Sequence, residues 1–229
     1  MNKLLFITLF LIPLQGICQA EKIGIVNDSD GFINVRSGKA YNAAIVGRLF
    51  NDDVVMFTPT NDDWIEIYKQ TYFEPVTGFI HKSRLRDFEL MSEMEKKQHI
   101  KNIFTKELEL VEPGDFSEAY QNHHESKFNM ILNLASDEIL KTKDVALATL
   151  FVKIIKLNAG SADEIPPSVL GWMFIQEPDW MSSIIEEVGV DESLLGSLGF
   201  GIYDMMGPEP NDSTALKYKE IVTKFEQLK

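Results

Sequence analysis

Ile33-Asn34-Val35-Arg36-Ser37-Gly38 sets apolar side chains two apart between polar ones and then ends in a Ser-Gly pair. That period-two alternation buries one face of a β-strand, and the closing pair marks its turn. Upstream, Ile23 and Ile25 alternate in the same way, parted from Ile33 by the turn-forming residues 27–31. Downstream, Val54 to Thr58 is a short apolar run, followed by Pro59-Thr60-Asn61-Asp62-Asp63, a composition that turns the chain. Trp64, Ile65, Ile67 and Tyr68 form a further strand, and Thr77 to His81, around Gly78, another. Five short strands in fewer than seventy residues predict a small barrel, an architecture with few free sheet edges.

Past Phe88 the period lengthens. Ile100, Ile103, Phe104, Leu108 and Val111 share one helical face, and Phe128, Ile131, Leu132, Ala135 and Ile139 share another. Val145 to Leu157 is apolar on nearly every side, which places that helix in the middle of a bundle. Ser161-Ala162-Asp163-Glu164 has capping-box spacing, and Pro166-Pro167 suits a helix start. Two shorter helices follow, Asp179–Val188 before Gly189 and Glu192–Met206 before Gly207. A last helix, capped by Asp212 or Ser213, carries Tyr218, Ile221, Val222, Phe225 and Leu228, for about seven in all.

Of the 229 residues, 45% are hydrophobic and 25% charged, enough apolar content for a packed core and too much for intrinsic disorder. The net charge of -13 disfavours a nucleic-acid partner, because phosphates would be repelled. Residues 21–88 carry 8 basic and 10 acidic groups, whereas residues 89–229 carry 13 and 25, and all four arginines lie in the first stretch. That asymmetry predicts two units with separate surfaces.

Lys3, an apolar run from Leu4 to Leu14, and the small residues Gly16, Cys18 and Ala20 have the layout of a secretory signal, with cleavage expected after Ala20. The run is shorter than the ~20 apolar residues of a membrane span, so no transmembrane segment is expected in the mature chain. The chain is expected in the periplasm or outside the cell. Lipid anchoring at Cys18, the single cysteine, is disfavoured by the bulky Ile17 before it. An exported chain without disulfides fits a bacterial envelope better than a disulfide-stapled ectodomain.

In order along the chain, Ile33 to Gly38, Ile45-Val46-Gly47-Arg48-Leu49, Asp63-Trp64-Ile65-Glu66-Ile67, Gly78-Phe79-Ile80-His81 and Ser83-Arg84-Leu85 resemble the bacterial SH3-type (SH3b-like) domain. The resemblance spans about residues 22–88. It departs from the family pattern in three places: Asn51-Asp52-Asp53 replaces a usual glycine, Phe79 replaces a tryptophan, and residues 69–76 expand a loop. The expected fold class is then α+β with two domains. After a signal peptide over 1–20 comes a small SH3-like β-barrel over 21–88, followed by an acidic all-helical bundle over 89–229.

Such domains are often fused to cell-wall cysteine peptidases, and a mature chain without cysteine lacks that nucleophile. His81 sits on a strand, His99 opens a helix, and the adjacent His123 and His124 do not share a helical face. With no HExxH spacing these read as solvated surface histidines, and no metal site is expected. Gly196-Ser197-Leu198-Gly199 lies in an apolar helical run and not at a nucleophile elbow. The glycines from Gly160 to Gly207 read as caps and packing sites, with no phosphate loop among them. No catalytic residue and no cofactor is assigned. A glycosidase pair turns on geometry, which counting carboxylates does not supply.

The resemblance implies a binding groove between loops, lined by aromatic side chains. Its candidates are Tyr41, Trp64, Tyr72 and Phe73, with Asp62, and Asp63 beside it, placed to pair with a cationic group. Trp64 serves equally well as a cover for the barrel. Asn34 and Arg36 read as structural, the arginine bonding turn carbonyls. The expected function is an exported, non-enzymatic binding protein that recognises a peptide, protein or cell-wall ligand in the bacterial envelope. One alternative is a carboxylate-based cell-wall lytic enzyme with the barrel as its targeting domain. The other is an inhibitor or immunity-type protein, whose acidic helices would steer a basic partner through Asp137-Glu138, Glu186-Glu187 and Asp191-Glu192.

Overall fold

The computed structural model describes residues 21–111, 117–158, 162–208 and 212–227. The expected leader, Cys18, Ser161 of the capping box and Leu228 of the last stripe lie outside the described residues.

Seven strands come first: β1 (Lys22–Val26), β2 (Phe32–Arg36), β3 (Ile45–Phe50), β4 (Val54–Phe57), β5 (Trp64–Lys69), β6 (Val76–His81) and β7 (Leu85–Asp87). They pair antiparallel in the order β3-β2-β6-β5-β4-β1-β7. The alternation in the sequence sorts their faces. Ile33, Val35, Ile65 and Ile67 point to one side and share a buried cluster with Val26, Leu49, Val55 and Ile80.

The sheet is open where the sequence predicts a closed barrel, with β3 and β7 as its edges. The reason lies on its other face. Ile25 and Val54, one residue out of phase with Val26 and Val55, join Phe88 in the large buried cluster of the helices. The helices cover that face at β1 and β4, whereas the inner cluster is built from strand residues alone. The edge strand β3 is irregular where it meets β2 at Val35/Arg36, and its Arg48 guanidinium lies over the Phe32 ring. Where the family pattern expects a glycine, Asp52 takes φ 65° in a turn closed by Asp53 N–H to the Phe50 carbonyl at 3.0 Å. Aspartate is among the few residues that tolerate that left-handed conformation.

Among the described residues eight α-helices follow: α1 (Glu93–Val111), α2 (Glu118–His123), α3 (Asn129–Thr142), α4 (Val145–Asn158), α5 (Ile165–Gln176), α6 (Pro178–Val188), α7 (Glu192–Met206) and α8 (Asp212–Gln227). A π-helical turn, His124–Phe128, joins α2 to α3. The short, polar α2 has no apolar stripe, so periodicity misses it. Gly189 and Gly207 end α6 and α7 at φ 89° and 74°. The α5–α7 crossing depends on glycine: a Cβ on Gly171 would fall 2.1 Å from the Gly201 carbonyl carbon.

Sheet and helices do not present separate surfaces. Besides the shared core, Asp53, just before β4, accepts from Lys69 of β5 at 2.7 Å and from Lys127 of the π-helical turn at 3.3 Å. Among the described residues, no helix is long and apolar enough to cross a membrane.

Candidate functional site

Two polar sites stand out, one on the sheet and one inside the helices. On the sheet, the hairpin register pairs Trp64 at the start of β5 with His81 at the end of β6. The loop after β2 is drawn in by Arg36, which donates to the Ala43 carbonyl at 2.9 Å and so takes the structural role read from the sequence. That loop carries Tyr41 onto the pair. Its ring meets Trp64 edge-on at 4.9 Å and stacks on His81 at 5.9 Å. The three rings border a recess of about 260 Å³ whose charged lining comes from Asp28, Asp30, Arg36 and Arg84. Arg84 pairs with the buried Asp28 at 2.6 Å. Asn34, whose Oδ1 is buried without a hydrogen-bond partner among the described residues, belongs to the recess lining. Buried acceptors are normally satisfied, so an unpaired one in this wall stands out.

The other predicted residues lie apart. Tyr72 and Phe73 pack edge-on against each other at 5.1 Å in the β5–β6 loop, at the opposite end of the hairpin from Trp64. A six-residue strand separates the two ends by roughly 15–20 Å at the usual rise per residue. Asp62 is bound to Lys39 at 2.5 Å and Asp63 to Lys82 at 2.9 Å, so both carboxylates already have cationic partners. The Lys82 ammonium holds the Asp63 pKa below its ordinary value. His81 is the recess residue that sequence reasoning passed over; its place opposite Trp64 across the hairpin was the available signal.

Inside the helices, His123 and His124 are not the solvated surface pair that their spacing predicts. His124 is 3% exposed and lies in the π-helical turn. Its Nδ1 meets Glu107 Oε1 at 2.5 Å, and its Nε2 meets Asp163 Oδ2 at 2.6 Å. His123 Nδ1 takes the second oxygen of Glu107 at 2.8 Å. Adjacent histidines need not face each other when one carboxylate from another helix, here α1, reaches both. Tyr120 stacks on His124 and donates to Asn158 Oδ1 at 2.8 Å, and Asn129 donates to Asp163 Oδ2 at 2.8 Å. The widened turn lets His124 point into this cluster while Lys127 reaches back to the sheet.

The electrostatics follow from the bonds. Burial lowers the His124 pKa, but hydrogen bonds to Asp163 and Glu107 outweigh it and hold the imidazole at about 9. Burial likewise raises Glu107 and Asp163, and the bonds from the histidines and Asn129 carry both below the ordinary carboxylate range. With a carboxylate on each ring nitrogen, His124 is a locked imidazolium. It donates twice and has no lone pair with which to act as a base. Among the described residues, no three His, Cys, Asp or Glu side chains are arranged to hold a metal ion. Glu107 and Asp163 carry no motif, and only the topology brings them to His124.

No family model, no curated protein sequence and no solved structure matches this chain.

Proposed function

We propose that the protein is a non-enzymatic binding protein of the bacterial envelope, and that the Tyr41–Trp64–His81 recess receives peptide or cell-wall material. What carries the reading is one juxtaposition: three touching rings, with Tyr41 68% exposed, beside the unsatisfied Asn34 acceptor. Aromatic faces supply contact area at low entropic cost, and the Arg84–Asp28 pair gives the recess both signs of charge. A peptide or a peptide-bearing glycan offers the matching amides, apolar groups and charges. The resemblance of residues 22–88 to SH3-type domains and the secretory layout of the first twenty residues support the same reading. The test is co-sedimentation with purified peptidoglycan. Wild-type protein is expected in the pellet, and the Tyr41→Ala/Trp64→Ala double variant in the supernatant with its helical circular dichroism intact. A double variant that pellets like wild type refutes the assignment.

A further inference from the structure

Beside the His124 cluster, where α4 ends and α5 and α7 begin, lies a cleft of about 470 Å³. That volume falls within the roughly 300–1,000 Å³ of small-molecule sites. Asn158, 6% exposed, forms part of its lining. The Oδ1 atom of Asn158 is held by Tyr120, whereas its Nδ2 is buried with no hydrogen-bond partner among the described residues. A buried amide N–H without an acceptor is costly, and the cost disappears when a bound group supplies one. Asp163, whose Oδ2 already meets His124 and Asn129, lines the same cleft, and Glu164 and Glu192 add two more carboxylates to the wall. Pro167 and Phe200 add apolar surface to the lining. Gly196 lines the cleft as well. A Cβ there would meet nothing within 4 Å, whereas Gly201 in the same helix would strike Pro167 at 1.9 Å. Gly196 therefore serves no close helix contact; what it leaves free is the cleft.

We propose that this cleft binds a ligand with a primary ammonium next to a carbonyl oxygen and an apolar side group, the chemistry of an amino-acid amide or a peptide N-terminus. The ammonium lies among the carboxylates of Asp163, Glu164 and Glu192. The carbonyl accepts from Asn158 Nδ2, and the apolar group rests on Phe200 across Gly196. Each half of the ligand answers a separate feature of the site: the acids alone would take any cation, and the orphaned amide adds the demand for an adjacent acceptor. The site stands apart from the sheet recess, and either can fail without the other.

Calorimetric titration of the full chain with phenylalaninamide tests the assignment. Saturable binding is expected, weakened about tenfold or more for N-acetylphenylalaninamide, which lacks the ammonium, and for 2-phenylethylamine, which lacks the carbonyl. The tripeptide Phe-Ala-Ala separates the two sources: binding as tight as that of the amide identifies a peptide N-terminus, and much weaker binding a free amino-acid derivative. Gly196→Leu fills the cleft with a good helix former and is expected to abolish binding while the thermal transition is retained. Glu164→Gln, at an exposed position, is expected to weaken it severalfold and serves as the second variant should Gly196→Leu fail to fold. Absence of saturable phenylalaninamide binding, equal binding of the acetylated compound, or undiminished binding to both variants overturns the proposal.

Discussion

The sheet recess and the buried helical cluster are built from similar residue types, and they treat them in opposite ways. Around His124 the charged groups are answered from within: Glu107 is 0% exposed, each of its oxygens takes a histidine, and Asp163 takes the other side of the His124 ring. Around Trp64 the groups are half answered. Tyr41 lies largely in solvent, Asn34 keeps an open acceptor, and Asp28 and Arg84 satisfy each other at the margin. A cluster that satisfies itself holds helices together, and a recess that does not is able to receive something. The difference also separates stability from binding, and each expectation below tests that separation.

The largest effect belongs to the helices. Glu107→Ala leaves His123 and His124 without their shared carboxylate and is expected to cost about 3–5 kcal/mol of stability, measured by urea denaturation. A loss below about 1 kcal/mol would rank the cluster with ordinary surface pairs and erase the contrast. Next comes pH. The folded-state pKa of His124, about 9, lies above its ordinary value of 6.5. Its contribution is therefore complete below the ordinary value and is lost as pH rises through the folded one. Glu107 and Asp163 are shifted down, so their contributions are present above the ordinary carboxylate range and lost on acidification. Urea midpoints should fall on both sides of neutrality, and His124→Asn should flatten the alkaline fall. A wild-type midpoint unchanged between neutral pH and pH values above that folded pKa would contradict the locked imidazolium.

On the sheet the expected losses are in binding. Trp64→Ala or Tyr41→Ala should weaken peptidoglycan capture about tenfold or more, as aromatic anchors do. The exposed Tyr41 should change stability by less than about 1 kcal/mol. Smallest of all is Phe73→Ser, expected within about 0.5 kcal/mol in stability and without effect on capture, because it sits at the far end of the hairpin. A loss of capture with Phe73→Ser would extend the binding surface along the whole of β5 and β6.

Much of the fold was legible. Apolar side chains two apart located β1, β2 and β5, and the stripes on α1, α3 and α8 announced those helices. Closure of the sheet was misread because Ile25 and Val54 look the same in a barrel as in a sheet with a second packed face; only the partner element differs. Tyr41 and Trp64 were named because the resemblance implies an aromatic groove between loops, and the structure does bring the two rings together. The His124 cluster was invisible for a physical reason. Its members are far apart in sequence, Glu107 and Asp163 look like two acids among many, and the rule that neighbouring histidines do not face each other says nothing of a carboxylate from another helix that reaches both.

The most direct test is amide chemical-shift mapping of the full chain during titration with solubilised peptidoglycan fragments. Saturating shifts are expected at Tyr41, Trp64 and His81 and at the Asn34 side-chain amide, with Glu107 and His124 unmoved. Shifts confined to the helices, or none at all at the recess, would contradict the claim that the three rings are where this protein takes hold of its ligand.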